Sequence, residues 1–499
     1  MKILKKKSVQ LGIITILLVG VGLYLFIHNA YSYQIKRVVR GTVTFPLDIQ
    51  AGTIDISGSL GGTPLVTNSS IVSINWRMTD EERNKSDYLV TIDDPENILI
   101  ARWTENTATD INWEVIEFNS GVRVVSGITV VPETRLVKNI TLPSSFNLTR
   151  TLPIVFWRSA LAANANDEVN EFAVKFIAND TLQFSRIENL TANNEISYQI
   201  IEFDRDVKVY NGTTEITSGN RAADQTLSPS VAANKSLLVY YTYPGDSNIN
   251  GSEDYFLIDG YIVNDTTLRF TRGGTVFNTT AYWYLAEFQN NAWAESNRKS
   301  FAATANQSNT TLSGTPVMNL TRTFGKIPRA SIYSNNNTGR YESALFTGDI
   351  FESGTNLNLS LRRQPGIANQ VVANVSYSVI ELPPLDVLSP NGGETWKSGE
   401  TKNITWALAD SSKDHNLDLR LCTSGCDQIS SYTTLIASGE NASNNSYPWL
   451  ITDSVGGTNP INRTLRVAVV DTTMTPWAST KRDSSSFKFW QKSRVTLMM

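Results

Sequence analysis

The chain has 499 residues, of which 41% are hydrophobic and 18% are charged, and its formal net charge is −4. This composition is typical of globular proteins, and the length predicts several domains rather than one. The lack of a basic run beyond the N-terminus argues against nucleic acid as a partner. Two His and two Cys leave little material for His-centred catalysis or a Cys/His metal site.

Residues 1–32 form a separate targeting element. Lysines precede an uncharged apolar run at residues 11–27, and a small-x-small pattern allows cleavage after Ser32. The run is long for a signal-peptide core and slightly short for a membrane span of about 20 residues, so a retained anchor and a cleaved signal both stay open. In either case we expect residues 33–499 outside the cell, at its surface if anchored and secreted if cleaved.

Beyond this element the chain contains 21 Asn-x-Ser/Thr sequons, none with Pro in the middle position. The pattern predicts dense N-glycosylation of an exported protein. The alternative is that Asn, Ser and Thr simply share exposed turns. The principal candidates are Asn68, Asn147, Asn234, Asn319 and Asn403.

Two signatures recur at a period of about 85 residues. INWEVIEF, ISYQIIEF, AYWYLAEF and VSYSVIEL share the pattern aromatic-x-apolar-apolar-Glu-apolar, and ILIAR, LQFSR, LRFTR and LSLRR share apolar-x-apolar-x-Arg. The period is too long for a solenoid, so each repeat is expected to be a small β-sandwich. The predicted fold class is all-β, with tandem Ig-like β-sandwich modules after one N-terminal transmembrane helix or signal peptide. The predicted repeats are 37–120, 121–206, 207–291 and 292–384.

The two signatures predict a hairpin in each repeat. If the Arg strand pairs with the aromatic strand across a short turn, each Arg lies across the recurring ring, and the Arg and the Glu stay out of register. The expected pairs are Arg102 with Trp113, Arg186 with Tyr198, Arg272 with Trp283 and Arg363 with Tyr377.

The recurring acid of the first signature is Glu117, Glu202, Glu287 or Glu381. Paired carboxylates could perform glycoside hydrolysis. One Glu per repeat, beside apolar residues, instead favours a framework role. We therefore predict that the protein is not an enzyme.

One loop carries the first half of a calcium-binding pattern. Asp246, Asn248, Asn250 and Asp254 supply oxygen ligands, but Leu257 stands where a bidentate Glu is wanted. An ordinary polar turn is the alternative to a Ca²⁺ site, and no other cofactor is indicated.

The segment after residue 385 differs from the repeats. SPNGGETW at 389–396, Gly399, the Ile404-x-Trp406 strand and the closing SSSFKF resemble the Ig-like module of microbial surface proteins related to the Knh-type cell-wall family. The resemblance implies an Ig-like β-sandwich over about 385–490 that acts as a spacer or adhesive module. Within it, Cys422 and Cys426 are expected to form a local disulfide, because a metal site would have only His415 nearby.

These patterns predict a non-enzymatic, N-glycosylated, membrane-anchored surface protein that acts as a stalk, adhesin or envelope-layer component. Its expected partners are the membrane, cell-surface glycans or proteins, and further copies of itself. A lectin-like protein is the second hypothesis, and an exposed Trp293 beside polar residues would favour it. A third is a filament subunit, because KKKSVQLG before an apolar run resembles the leader of type IV pilins.

Overall fold

The computed structural model describes residues 34–46, 49–78, 87–103, 108–159, 171–187, 193–204, 207–245, 257–288, 292–302, 305–312, 323–326, 331–332, 346–353, 356–363, 372–382, 385–390, 394–408, 416–422, 434–452, 463–471 and 490–498. The predicted anchor or signal lies outside these residues, and within them no helix is long and apolar enough to cross a membrane. The described chain consists of antiparallel strands and short 3-10 turns, with one parallel strand pair near its C-terminus. The all-β prediction is confirmed.

The described residues of repeat 1 form six strands in two three-stranded antiparallel sheets. The large sheet has the order β1-β6-β3 and the small sheet the order β2-β5-β4. The period-two pattern explains the packing of β5, in which Ile98 and Ile100 are fully buried. The strands are β1 (Gln34–Phe45), β2 (Ala51–Asp55), β3 (Ser70–Met78), β4 (Leu89–Asp94), β5 (Asn97–Ala101) and β6 (Thr109–Ser120).

Repeats 2 and 3 build the same two sheets. Their large sheets are β7-β12-β9 and β13-β18-β15, and their small sheets are β10-β11-β8 and β14-β17-β16. The strands of repeat 2 are β7 (Val122–Val131), β8 (Val137–Thr141), β9 (Thr151–Ser159), β10 (Ala173–Ala178), β11 (Thr181–Ser185) and β12 (Asn194–Phe203). Those of repeat 3 are β13 (Val207–Ile216), β14 (Ala222–Thr226), β15 (Ser236–Pro244), β16 (Asp259–Asn264), β17 (Thr267–Thr271) and β18 (Thr279–Phe288).

Repeat 4 adds one short strand to the pattern. Its large sheet has the order β19-β25-β21, with β22 also paired to β25, and its small sheet has the order β20-β24-β23. The strands are β19 (Trp293–Phe301), β20 (Gln307–Thr311), β21 (Thr323–Lys326), β22 (Ser331–Ile332), β23 (Phe346–Ser353), β24 (Asn356–Arg363) and β25 (Ala373–Glu381).

A 3-10 turn leads into the third strand of each of the first three repeats: Thr67–Ser69, Leu148–Arg150 and Ala233–Lys235. Two further 3-10 turns, Ser57–Leu60 and Ala442–Asn444, lie elsewhere. The turns before the third strands contact the first strand of the following repeat.

The repeats pack against one another in a cycle. The fourth strand of each repeat lies on the large sheet of the next: β4 on β9 and β12, β10 on β15 and β18, and β16 on β19 and β25. The equivalent strand of repeat 4, β23, lies on β3 and β6 of repeat 1. Rings that follow the recurring Glu join the first three repeats, with Phe203 in edge contact with Phe118 at 6.3 Å and Phe288 at 5.5 Å.

This arrangement corrects the expectation that the four repeats form a stalk. They form one compact unit, and the segment after residue 385 belongs to a second unit. Each large sheet has apolar side chains on both faces, so one face packs in its own repeat and the other needs a neighbour to cover it. In β25 every residue is buried, as expected for a central strand covered on both faces.

The described residues of the C-terminal unit form two sheets around a core that includes Trp396, Trp406 and Trp449. Their orders are β26-β28-β31 and β27-β33-β32-β29-β30. The strands are β26 (Leu385–Ser389), β27 (Glu394–Lys397), β28 (Thr401–Leu408), β29 (Asn416–Cys422), β30 (Thr434–Asn441), β31 (Ser446–Leu450), β32 (Arg463–Asp471) and β33 (Trp490–Met498).

Candidate functional site

The four recurring arginines are buried at the end of the fifth strand of their repeats. All four are at most 1% exposed: Arg102, Arg186, Arg272 and Arg363. Each guanidinium donates to carbonyl oxygens in the loop between the first and second strands. Arg186, for example, donates from Nε to Arg135 O at 3.0 Å and from Nη2 to the Pro132 and Glu133 carbonyls at 2.7 Å.

The same pattern holds in the other repeats. Arg102 Nε donates to Ile49 O at 3.0 Å, and Arg363 Nε donates to Ala305 O at 2.7 Å. Arg272 Nη2 donates to Thr217 O at 3.1 Å. Burial lowers the pKa of Arg272 and of Arg363 to about 10, so both stay charged at neutral pH. The arginine fork therefore fixes the shape of this loop in each repeat.

The predicted hairpin between the Arg strand and the aromatic strand is wrong. The fifth strand pairs with the second and fourth strands of the small sheet, whereas the sixth pairs with the first and third strands of the large sheet. Alternation identifies which residues share a face, but it does not specify which sheet a strand joins. The recurring rings Trp113, Tyr198, Trp283 and Tyr377 consequently lie in a different sheet from Arg102, Arg186, Arg272 and Arg363.

In the first three repeats the recurring ring instead lies over a glycine of the first strand. Gly41 pairs with Trp113, Gly127 with Tyr198 and Gly212 with Trp283. A Cβ on Gly41 or Gly127 would lie 2.6 Å from a ring atom of its partner, and one on Gly212 would lie 2.5 Å away. The glycine therefore makes room for the ring. In repeat 4 the partner is Asn297, and Tyr377 donates its hydroxyl to Glu295 Oε1 at 2.9 Å.

In the first three repeats the recurring acids accept hydrogen bonds from the backbone of their own repeat. Each accepts the backbone N–H of the residue that begins the turn before the third strand. Val66 N donates to Glu117 at 3.1 Å, Asn147 N donates to Glu202 at 2.6 Å, and Ala232 N donates to Glu287 at 2.9 Å. Glu381 occupies the same position in β25 and is 3% exposed.

Side chains of the first strand also bind these acids, through ion pairs in repeats 1 and 2 and through a tyrosine hydroxyl in repeat 3. Glu117 pairs with Arg37 at 2.7 Å and Lys36 at 2.9 Å, Glu202 pairs with Arg123 at 2.7 Å, and Glu287 accepts from the Tyr210 hydroxyl at 3.1 Å. The carboxylates are thus held by groups of their own repeat rather than paired with one another.

Side chains of one repeat satisfy the backbone of the preceding repeat's edge strand. At the junction of repeats 1 and 2, Val72 N donates to Gln199 Oε1 at 2.7 Å, and Gln199 Nε2 donates to Val72 O at 2.8 Å. The equivalent edge residue of repeat 2 is Pro153, which has no N–H, and its carbonyl accepts from the Tyr241 hydroxyl at 3.0 Å. The amide of Gln199 thus bonds both backbone groups of Val72, whereas the hydroxyl of Tyr241 bonds the one backbone group that Pro153 can use, its carbonyl.

The closing junction, between repeats 4 and 1, uses a charged pair for the same purpose. Gly325 N donates to Glu114 Oε2 at 3.1 Å, Arg40 donates to the Thr323 carbonyl, and Arg40 and Glu114 pair at 2.6 Å. Together they do what the single amide of Gln199 does elsewhere. Asn75 and Asn112 complete the junction at repeat 4, because Gly348 N donates to Asn75 Oδ1 at 2.6 Å and Asn112 Nδ2 donates to Gly348 O at 2.9 Å.

A polar cleft of about 30 Å³ lies at this closing junction, which is room for one or two water molecules. Arg40, Glu114 and Asp349 line it. Loss of solvation raises the pKa of Glu114 and of Asp349, although Arg40 opposes the shift in both. The junction of repeats 3 and 4 also buries an acid, Asp259, which accepts Arg298 Nε at 2.5 Å and Ser376 N at 2.8 Å.

The described sequon candidates differ in exposure. Asn68, Asn147, Asn234 and Asn403 are exposed, and Asn319 lies outside the described residues. Asn147 Oδ1 accepts from both the backbone and the hydroxyl of Thr149, the third residue of its own sequon. The sequon at Asn374, in contrast, is buried at 7% exposure in a central strand.

Strand register shows which of these sequons are equivalent between repeats. Ser70, Thr151, Ser236 and Thr323 pair with the recurring Glu of their repeats. Asn68 and Asn234 therefore occupy one equivalent position. Asn147 and Asn319 occupy another, two residues earlier. The segment NLTRT, which occurs at 147–151 and again at 319–323, therefore starts at equivalent positions in repeats 2 and 4, and the segment ANKSL of repeat 3, at 233–237, is offset from it.

The remaining predicted sites are not tested by the structure. Asp246, Asn248, Asn250 and Asp254 lie outside the described residues, and no metal-ligand cluster occurs among the residues that are described. Cys422 ends β29, but Cys426 lies outside the described residues, so the disulfide stays a prediction. Trp293 is half-buried and packs against the core of the repeats, so it is not the exposed ring that a lectin-like site requires.

Residues 389–475 match the model of the Kre9/KNH-like N-terminal Ig-like domain family. The resemblance seen in the sequence of the C-terminal module is confirmed. A module of this family indicates a cell-wall or cell-surface protein. No curated protein matches the chain.

Several solved structures match the chain distantly. The two tandem V-type regions of VCBP3, a v-region-containing chitin binding protein, match at 8% identity over 56% of this chain and 100% of that chain, with a TM-score of 0.15. Salmonella alpha-2-macroglobulin reacted with methylamine matches at 10% identity over 94% of this chain and 40% of that chain, with a TM-score of 0.15. The EFF-1 fusogen on extracellular vesicles matches at 10% identity over 94% of this chain and 88% of that chain, with a TM-score of 0.12. These TM-scores are too low to show a shared fold.

Proposed function

We propose that this protein is a non-enzymatic, N-glycosylated and membrane-anchored surface protein that serves as an adhesin or an envelope-layer component. The observation that carries the proposal is the family match of the C-terminal Ig-like module. The packing of the repeats replaces the idea of a thin stalk with that of a compact four-repeat unit. Membrane attachment rests on the apolar run at residues 11–27.

Two features support a structural rather than catalytic role for the repeats. Three of the recurring acids have their carboxylate oxygens engaged by framework donors, as shown for Glu117, Glu202 and Glu287. The buried arginines are likewise occupied by loop carbonyls. The recurring charges therefore stabilise the fold of the repeats, which supports a structural role.

N-glycosylation is supported by the exposure of the sequons. Asn68, Asn147 and Asn234 all lie on or beside the turns that precede the third strands. Glycans there would cover the turns at which one repeat contacts the next.

Peptide mass spectrometry on protein from a washed envelope fraction tests the proposal. We expect occupied Asn68, Asn147, Asn234 and Asn403, and an empty Asn374 as an internal control, because that sequon is buried. An N-terminal peptide from the lysine-rich segment would support a retained anchor. A start at Tyr33 would show a cleaved signal, and a start at Val9 would favour the pilin-like hypothesis. Bare sequons throughout would contradict glycosylation, and recovery from the cytoplasm alone would contradict the surface role.

A further inference from the structure

The first strand of repeat 2 is an apolar sheet edge. β7 pairs with β12 and forms one edge of the large sheet β7-β12-β9. Its outward side chains at 126, 128 and 130 are exposed, and two of them are large and apolar: Ile128 is 49% exposed and Val130 is 41% exposed. Leu136 and Val137, just beyond the end of β7, are 42% and 46% exposed. An exposed hydrophobic edge strand is a template for pairing with another chain.

The equivalent strands of the other repeats are polar at these positions. Register with the sixth strand makes Thr42 and Thr44 the counterparts in repeat 1, Thr213 and Glu215 in repeat 3, and Arg298 and Ser300 in repeat 4. In repeat 4, Arg298 is also engaged by Asp259. The apolar edge is therefore a property of repeat 2 and not of the repeat pattern.

Charge and sequon placement distinguish β7 in the same way. Residues 124–131, VVSGITVV, carry no charge, no Pro and no sequon, whereas β1 carries Lys36, Arg37 and Arg40 and β13 carries the exposed sequon Asn211. Arg123, the one charged residue of β7, pairs with Glu202 inside its own repeat. If two β7 strands paired antiparallel, no like charges of residues 124–131 would face each other. If two β1 strands paired, several cations would lie close together.

We propose that β7 is a self-association edge, at which β7 of a second copy of this chain pairs antiparallel and joins two three-stranded sheets into one six-stranded sheet. The occupant is a second copy because the edge is neutral and self-complementary, and because a two-fold arrangement places the same apolar residues on both sides. Ile128 and Val130 of both copies would then lie together on one face of the joined sheet. The inference does not depend on membrane attachment, and because the turn that carries Asn68 contacts β7, it applies to chains without a glycan at Asn68.

Sedimentation velocity of the full chain in detergent solution over a concentration series tests this pairing. The native protein should dimerise, and Ile128→Lys should raise the dimer dissociation constant by at least ~10-fold, because a lysine on an edge strand opposes pairing. Ile128→Thr, which copies the residue of repeats 1 and 3, should weaken the dimer in the same direction by a smaller factor. Thr213→Lys, at the equivalent exposed position of repeat 3, is the matched control and should leave the dissociation constant unchanged.

Near-UV circular dichroism separates loss of pairing from loss of fold, since a folded Ile128→Lys monomer should keep the native spectrum. A native chain that stays monomeric to ~100 μM would overturn the proposal, because specific interfaces normally associate below this concentration. An Ile128→Lys dimer as tight as the native one would overturn it as well. If Ile128→Lys misfolds, the dimer dissociation constant of the conservative Ile128→Thr variant tests the proposal instead, and a value equal to the native one would overturn it.

Discussion

Replacing Gln199 by Leu should destabilise the junction of repeats 1 and 2. Gln199 is 2% exposed, and its amide satisfies both the N–H and the C=O of Val72, at 2.7 and 2.8 Å. Leu fills much of the same volume but offers no hydrogen bond, so two buried backbone groups of an edge strand lose their partners. Each such group costs about 1–3 kcal/mol, which gives a total of roughly 2–6 kcal/mol for the two groups.

Equilibrium urea unfolding and hydrogen exchange at the Val72 amide measure this effect. A loss of ~2 kcal/mol in the free energy of opening corresponds to about 30-fold faster exchange at that amide. Gln183→Leu in the same repeat is the control, because Gln183 bonds the Asn139 side chain at an exposed position and should cost no more than ~0.5 kcal/mol. Unchanged exchange at Val72 in Gln199→Leu would refute the view that the repeats satisfy one another's edges.

Three further substitutions test other parts of the account. Arg272→Lys should lower the free energy of unfolding by about 2–4 kcal/mol in urea titrations, because one ammonium cannot replace a fork that holds several groups. Gly212→Ala should cost about 1–3 kcal/mol in thermal unfolding, because its Cβ would lie 2.5 Å from the Trp283 ring, whereas Gly58→Ala meets nothing within 4 Å and should cost little. Burial raises the pKa of Asp349 above its unfolded value of about 3.9. The native protein should therefore lose stability as the pH rises from 4 to 7, and Asp349→Asn should lose less. Urea unfolding at a series of pH values measures this difference.

The sign of the last effect follows from proton binding. A carboxyl with a raised folded pKa binds more protons in the folded protein than in the unfolded chain at intermediate pH. Its contribution to stability is therefore greatest below the unfolded pKa and is lost as the pH rises through the folded pKa. Equal slopes for the native protein and Asp349→Asn would contradict the burial of this carboxylate. An Arg272→Lys protein of native stability, or a Gly212→Ala no worse than Gly58→Ala, would contradict the corresponding contacts.

The sequence predicted the strand content and the position of the recurring residues, because these depend on local alternation. It did not predict sheet partners. LQFSR and ISYQIIEF lie close together in the chain, which suggested a hairpin between them, yet they joined different sheets. Pairing of this kind depends on contacts distant in sequence, which alternation does not encode.

One overlooked signal in the sequence could have corrected this. Gly41, Gly127 and Gly212 each precede the recurring ring by 71 or 72 residues. A glycine that recurs inside a strand pattern marks a close approach of another group. That spacing would have paired the ring with the first strand.

The contacts between repeats carry no comparable signature. Glu114, Gln199, Tyr284 and Ser378 occupy the same position of the aromatic strand. Their side chains differ because each meets a different group: Gln199 bonds both backbone groups of Val72, whereas Tyr284 donates its hydroxyl to the Val174 carbonyl. Residues that are fitted to a neighbour vary with the neighbour, so the repeat period does not reveal them.

Closure of the four repeats into one cycle is tested most directly by hydrogen exchange at the Gly348 and Gly325 amides in the full chain. Both lie in repeat 4, and both donate to side chains of repeat 1, Asn75 and Glu114. We predict slow exchange at both amides in the native protein and faster exchange at Gly348 in Asn75→Leu. Rapid exchange at both amides in the native protein would show that repeat 4 does not close on repeat 1.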